Sequence, residues 1–321
     1  MRAIVTGSHG FIGTHLCDAL EANGALVKCF DTKINHGTSS IGNPWGDSHT
    51  IEQADVVFHL ACLTQEKAEE EPRLNLDVNI RDTQEIARLC GRYGKRLIFT
   101  SSASVYGNQK GALSENAPLL PTSNYGIAKL AAEHFVRKLC SDHMILRLSN
   151  VYGPGQTPED NAYCGFIGKA FHAAINGEPI PIFGDGGQTR DFTYIDDVVD
   201  ALLYFGTSKR QYEGGLTLNI ANGEECSVAR LLNTMKYVAA DVFPFDGKWP
   251  GYDFQSPRSI DNIRQRHLDI GTAVALGWTP ETTLLGGLQR TYDWWRERMV
   301  KSDSKGDSAQ RSAETRAPRE A

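Results

Sequence analysis

Thr6-Gly7-Ser8-His9-Gly10-Phe11-Ile12-Gly13 follows directly on the apolar run Ala3-Ile4-Val5, and this junction decides the fold. Phe11, Ile12, His15, Leu16, Ala19 and Leu20 then recur at helical spacing. Glycines at 7, 10 and 13 permit a tight turn, close approach of the backbone to a pyrophosphate, and tight packing of helix on strand. The helix start adds N–H groups and a positive dipole end for the same anion. Asp31 closes the second apolar run, Leu26 to Phe30, where an acid accepts hydrogen bonds from an adenosine ribose. A 2′-phosphate would be repelled there, so NAD is expected rather than NADP. Against this, a cation at Lys33 would tolerate the phosphate, and Asp31 as a mere turn residue is the plainer alternative.

Outward from this junction, short apolar runs at Val56-Leu60, Leu97-Thr100 and Met144-Leu148 alternate with helical patterns at 76–89 and 125–139. Such alternation implies βαβ units and a parallel sheet. Continuous rather than alternating apolar strands fit a sheet covered on both faces. The expected class is therefore α/β: a Rossmann-like doubly wound parallel sheet with a smaller, irregular C-terminal lobe. Few residues separate the second strand from Val56, which predicts a reduced third βα unit. Beyond about residue 150 turn-rich stretches interrupt the pattern, and helices resume at 195–207, 227–240 and 283–300. Residues 301–321 contain no Val, Leu, Ile, Met or aromatic side chain and read as a disordered tail.

With 40% hydrophobic and 22% charged residues, the 321-residue chain has an ordinary globular balance. A formal net charge of -6 argues against a nucleic-acid partner. The cysteines at 17, 29, 62, 90, 140, 164 and 226 show neither C-x-x-C nor metal-ligand spacing, so reduced thiols and no metal are expected. No apolar run is long enough to span a membrane, and strand-like residues begin at Ala3 where a signal segment would lie. These features predict a cytoplasmic protein with no membrane partner.

The chemistry centres on Tyr125-Gly126-Ile127-Ala128-Lys129, where i and i+4 share a helix face. A free phenol titrates near about 10. Bringing it to neutrality takes roughly 3 units, or about 4 kcal/mol, which a lysine and a cationic nicotinamide in a water-poor cleft can supply. The strand at Leu97-Thr100 ends in Ser101-Ser102, placing the Ser102 hydroxyl to bond the same substrate oxygen.

The glycine loop, His59-Leu60-Ala61, Ser101-Ser102, Tyr125 with Lys129, and Arg147-Leu148-Ser149-Asn150-Val151-Tyr152-Gly153-Pro154 come in an order that resembles the extended short-chain dehydrogenase/reductases. Within them the chain is similar to the NAD-dependent nucleotide-sugar epimerase/dehydratase branch, typified by UDP-glucose 4-epimerases, over roughly residues 1–300. The resemblance implies an NAD-binding Rossmann domain over 1–155, rejoined by about 190–220, and a mainly nucleotide-sugar-binding lobe over 156–300. It implies NAD contacts from Gly7, His9, Gly10, Phe11, Ile12, Gly13 and Asp31. Leu60, Ala61, Thr64, Asn79, Thr100, Tyr125 and Lys129 would complete that site. Gly184 to Phe192 resembles the wall of the nucleotide diphosphate site, with Arg190 on a phosphate. The alternative is that Arg190 pairs structurally with Asp191 or Asp196. Arg258 and Asn150 are further substrate contacts, and Phe166 either touches the base or belongs to the core.

In this branch tyrosinate and nicotinamide oxidise the sugar at C4. Sugar-nucleotide 4,6-dehydratases then need an Asp-Glu pair in the serine loop, where this chain has Ala103 and Ser104. Because a side chain without a proton cannot act as general acid, 4-epimerisation of a UDP-hexose or UDP-N-acetylhexosamine is expected. The acidic stretch Cys62 to Glu71 keeps a second reaction open. Either it is a charged surface, or Cys62 or Glu66 relays a proton for the C5–C6 elimination of UDP-hexosamine 5,6-dehydratases. A non-catalytic NAD-sensing regulator is a remote third reading, since such proteins usually lose the Tyr or Lys. Resemblance also implies a homodimer through helices containing 76–90 and 126–139.

Overall fold

Each short apolar run predicted above is a strand in the computed structural model, which describes residues 1–31, 48–158, 164–208, 212, 214–240, 249–257 and 263–298. Six strands make one sheet: β1 (Arg2–Thr6), β2 (Leu26–Phe30), β3 (Val56–His59), β4 (Arg96–Ser102), β5 (His143–Leu148) and β6 (Leu216–Ile220). Their order is 2-1-3-4-5-6, and every pairing is parallel. The order reverses at β1, so a crevice opens beyond the carboxyl ends of β1 and β3, where ligands of such sheets bind. The predicted tail at 301–321 and the interval 32–47 lie outside the described residues.

The helices used below are α1 (Phe11–Ala22), α2 (Gln65–Glu70), α3 (Thr83–Tyr93), α4 (Asn124–Leu139), α5 (Phe166–Ile175), α6 (Ile195–Thr207) and α7 (Val228–Val238), and residues 284–298 are also helical. Alternate strand residues point to opposite faces. Val5, Phe58 and Leu146 pack with Leu16 and Leu20 of α1 and Val198, Leu202 and Phe205 of α6. Ile4, Val57, Phe99 and Ile145 pack with Ile86 and Leu89 of α3 and Ala132 and Val136 of α4. Two covered faces explain the unbroken apolar strands and the doubly wound form. Among the described residues no helix is long and apolar enough to cross a membrane.

One element differs from its periodicity. The pattern over 76–89 reads as a single regular helix, but Leu76–Asp82 forms a wide π turn before α3 begins. Such a turn inserts an extra residue into the helix and re-aims its neighbours. Asn79, buried at its centre, reaches across to the backbone of Leu63.

Candidate active site

At the end of β1 the chain turns through Gly7 with φ +71°, a region L-residues seldom adopt. A Cβ there would lie 2.7 Å from the amide nitrogen of Ala61, and one on Gly13 would lie 2.0 Å from the Gly7 carbonyl oxygen. Only glycine lets this loop press on β3 and on its own helix. Its turn is tied to β2 by the Gly7 and Ser8 N–H groups, which donate to the Phe30 carbonyl at 2.8 and 3.3 Å. Gly10 begins α1 without a side chain to cap it, leaving the first-turn N–H groups at Phe11, Ile12 and Gly13 for an outside acceptor. Asp31 sits at the same loop and accepts the His9 N–H at 3.0 Å. A cradle of backbone donors beside an acid is what a dinucleotide pyrophosphate and ribose require.

The opposite wall is held by a chain of neutral hydrogen bonds. Thr83 Oγ1 donates to the Asn79 carbonyl (3.0 Å), so it accepts from His59 Nε2 (2.9 Å). His59 Nδ1 then accepts from Thr6 Oγ1 (2.7 Å), which in turn receives the Ala61 N–H (3.3 Å). Burial, with the nearby Lys129 charge, pushes the His59 imidazole down to about 3, so it is a fixed neutral strut. Leu60 and Ala61 are thereby placed beside the glycine loop, and Thr64 caps α2 by accepting the Lys67 N–H.

Tyr125 and Lys129 lie on one face of α4. Ser123 caps α4 by accepting the Gly126 N–H at 3.1 Å, and the ammonium of Lys129 lies 5.7 Å from the Tyr125 ring centre. Lys129 is only 2% exposed; its ammonium donates to the Thr100 carbonyl at 2.8 Å and faces the Phe99 ring at 4.9 Å. A Cβ on Gly126 would lie 2.7 Å from the Ser104 carbonyl oxygen, so a glycine beside Tyr125 brings α4 against the serine loop. In that loop Ser102 Oγ accepts the Ser104 N–H at 3.1 Å, Ala103 is buried, and Ser104 Oγ accepts from Arg266 at 3.5 Å. Beneath it, Glu133 binds Ser101 (2.6 Å), Arg147 (2.9 and 2.8 Å) and Arg137 (2.6 Å), fixing α4 to β4 and β5.

Asn150, Phe166 and Arg190 line one cleft of about 220 Å³, together with Glu66, Gln65 and Lys169. Asn150 is held by its N–H and side-chain amide on the Asp191 carbonyl (3.1 and 3.2 Å). Arg190 donates to the carbonyls of Thr189 and Ile263 (2.8 and 2.9 Å). Asp191 receives the N–H groups of Asn222 and Gly223, and Asp196 pairs with Arg290 at 3.6 Å. Glu66 lies 3.9 Å from Lys169, and Cys62 is a half-buried thiol beside Ala61. Arg258 lies outside the described residues. Sequence reasoning missed Gln65, Lys169, Arg266 and the side chains that hold α4; none carries a local pattern that would mark it.

The sequence profile of the NAD dependent epimerase/dehydratase family matches residues 3–221. The chain belongs to this family. Family members are similar along nearly the whole chain. The UDP-glucose 4-epimerase of Mycolicibacterium smegmatis is 32% identical over 325 residues, spanning 93% of this chain and 99% of that protein. The putative UDP-glucose 4-epimerase of Methanocaldococcus jannaschii is 31% identical, spanning 91% of this chain and 98% of that protein. The solved structure of MoeE5 in complex with UDP-glucuronic acid and NAD superimposes with a TM-score of 0.80 at 31% identity, over 93% of this chain and 100% of that one. The protein is thus an NAD-dependent nucleotide-sugar epimerase or dehydratase, and the cradle at Gly7–Gly13 fits the cofactor of its family.

Proposed function

We propose that the chain interconverts the C4 epimers of a UDP-hexose or UDP-N-acetylhexosamine by transient oxidation at C4. The observation that carries this reading is Tyr125 beside the buried Lys129, pressed by Gly126 onto a serine loop with no carboxylate at Ala103 or Ser104. Bound NAD supplies a reversible hydride acceptor. Tyr125 removes the C4 hydroxyl proton while Lys129 stabilises the phenolate, and Ser102 steadies the sugar oxygen. Tyr125 later returns the proton once the 4-keto sugar has turned its other face. Arg190 is the phosphate ligand, Asn150 adds a polar contact to the nucleotide sugar, and Phe166 touches the base. Residues 1–155, rejoined by about 190–220, serve as the cofactor unit, and 156–300 serve mainly the sugar nucleotide.

The UDP assignment rests on the relatives named above. Proton NMR of products from a panel of UDP- and dTDP-hexoses tests it. A new C4 epimer from a UDP-sugar is expected. An exocyclic alkene would replace epimerisation by C5–C6 elimination and give Cys62 or Glu66 the proton relay, and turnover of dTDP-sugars alone would overturn UDP. The reading includes a homodimer through α3 and α4, whose neighbourhood exposes Leu76 and Ile127. Sedimentation at low micromolar concentration should give a dimer, converted to monomer by Ile127→Asp.

A further inference from the structure

In the acidic stretch ending at Glu71, Glu69 does not behave as a surface charge. Lys67 pairs with Glu70 and Glu71 (3.0 and 3.6 Å) on the outside of α2. Glu69 turns inward instead. Its Oε1 accepts the backbone N–H of Asn124 at 2.7 Å, and its Oε2 accepts the Asn124 side-chain amide, also at 2.7 Å. Asn124 is the first residue of α4 and immediately precedes Tyr125. From a second side, Asn75 donates to the Asn124 carbonyl at 3.1 Å. Asn75 is in turn fixed by Asn79 (2.7 Å), and Asn79 accepts the Leu63 N–H (2.8 Å). The N–H, carbonyl and side chain of Asn124 are thus all held by the segment 63–79.

Two physical terms favour this clamp. Hydrogen bonds to an ionised carboxylate are shorter and stronger than neutral ones. A negative charge at a helix start also complements the dipole and satisfies an N–H that has no intrahelical partner. The same short helix places Gln65 and Glu66 in the cleft with Asn150, Phe166 and Arg190. One rigid element therefore touches the substrate cleft at one end and the residue before Tyr125 at the other.

We propose that Glu69 is a positioning residue, which sets the register of Tyr125 against Lys129 through Asn124. The proposal rests on the role given to Tyr125 above. Without the clamp the start of α4 relaxes, and Tyr125 moves away from the ammonium that stabilises its phenolate.

The test compares Glu69→Gln, which keeps the shape and one strong acceptor, and Glu69→Ala in the full-length, NAD-loaded protein. For Glu69→Ala, kcat is expected to fall on the order of 10- to 100-fold, the scale of a sub-ångström to 1 Å misplacement, with KM little changed. Glu69→Gln should lose less. The acid limb of the pH–kcat profile should move to higher pH in both. Simple removal of a negative charge near the phenol would move that limb to lower pH, so the sign separates the two causes. An unchanged kcat and limb, a limb moving down, or a kcat loss that only follows the melting temperature would each overturn the proposal. Tyrosinate absorbance, titrated in NAD-loaded protein with Tyr125→Phe as the blank, needs no substrate. If the wild type turns over no sugar nucleotide, the functional reading fails while this titration still decides on Glu69.

Discussion

Replacing Arg147 by Met should cost about 3 kcal/mol of stability and reverse the sign of its pH dependence at one buried carboxylate. Glu133 is fully buried, and Arg147 is 1% exposed. Breaking such a pair from one side typically costs ~3–5 kcal/mol, because the remaining charge is stranded. Here the lower end applies, since Arg137 and Ser101 still reach Glu133 at 2.6 Å each. Tyr106 also keeps a partner, donating to Asn219 at 2.7 Å, whereas the Glu115 carbonyl loses the Arg147 donor at 3.1 Å. In the wild type burial would raise the Glu133 carboxyl, but the bonds and charge of Arg147, with Ser101 and Arg137, outweigh it and hold the group below the usual range. A depressed folded value means stability that is complete above the unfolded value and lost as pH falls through the folded one. Without Arg147 burial dominates, the folded value rises, and the stability of the variant should decline as pH rises toward neutrality. Guanidinium unfolding at several pH values, for Arg147→Met, Glu133→Leu and the double variant, measures all of this. The double variant should recover part of the loss, giving a coupling of about 2 kcal/mol. A cost under about 1 kcal/mol for Arg147→Met, with the wild-type pH slope intact, would show that Arg147 does not hold the Glu133 charge in the core.

Gly13→Ala places a Cβ 2.0 Å from the Gly7 carbonyl oxygen, so NAD affinity by calorimetric titration should drop on the order of tenfold or more; affinity within the error of wild type would count against the cradle. Asp31→Asn removes the charge that accepts the His9 N–H, and the ratio of NAD to NADP affinity should shrink by roughly tenfold, the effect of about 1.4 kcal/mol. His59, pushed down to about 3 by burial and then by Lys129, should stay neutral in nitrogen NMR spectra at pH 5. Since its folded value is depressed, the stability it contributes above 6.5 is lost as pH falls from there toward about 3, and an imidazolium signal at pH 6 in folded protein would contradict this.

Much of the architecture was legible because it is locally encoded. Unbroken apolar strands, the glycine spacing and the helical period of α1 and α4 each depend on neighbours within a few residues. Tyr125 and Lys129 share a face by helix geometry alone, and Asn150 and Arg190, marked by motif order, line one cleft with Phe166. Long-range complementarity was not legible. The Glu69 clamp joins residues 55 apart in the chain, and the His59 chain depends on the register that sets Thr6 opposite His59. The apolar period over 76–89 also concealed the π turn, where polar Asn75, Asn79 and Thr83 are buried while Leu76 is exposed. The acidic stretch reads as a charged surface or a proton relay, and neither reading anticipates that Glu69 binds the start of α4.

In the proposed reaction C4 is oxidised by Tyr125 and NAD and then reduced again in the same cleft. Incubating the enzyme in ordinary water with a UDP-hexose carrying deuterium at C4 tests it most directly. Oxidation and internal return predict a mixture of both C4 epimers with the deuterium kept at C4, and no such mixture from Tyr125→Phe. Deuterium lost to solvent, or an unchanged C4 configuration with an alkene at C5–C6, would contradict epimerisation by internal hydride return.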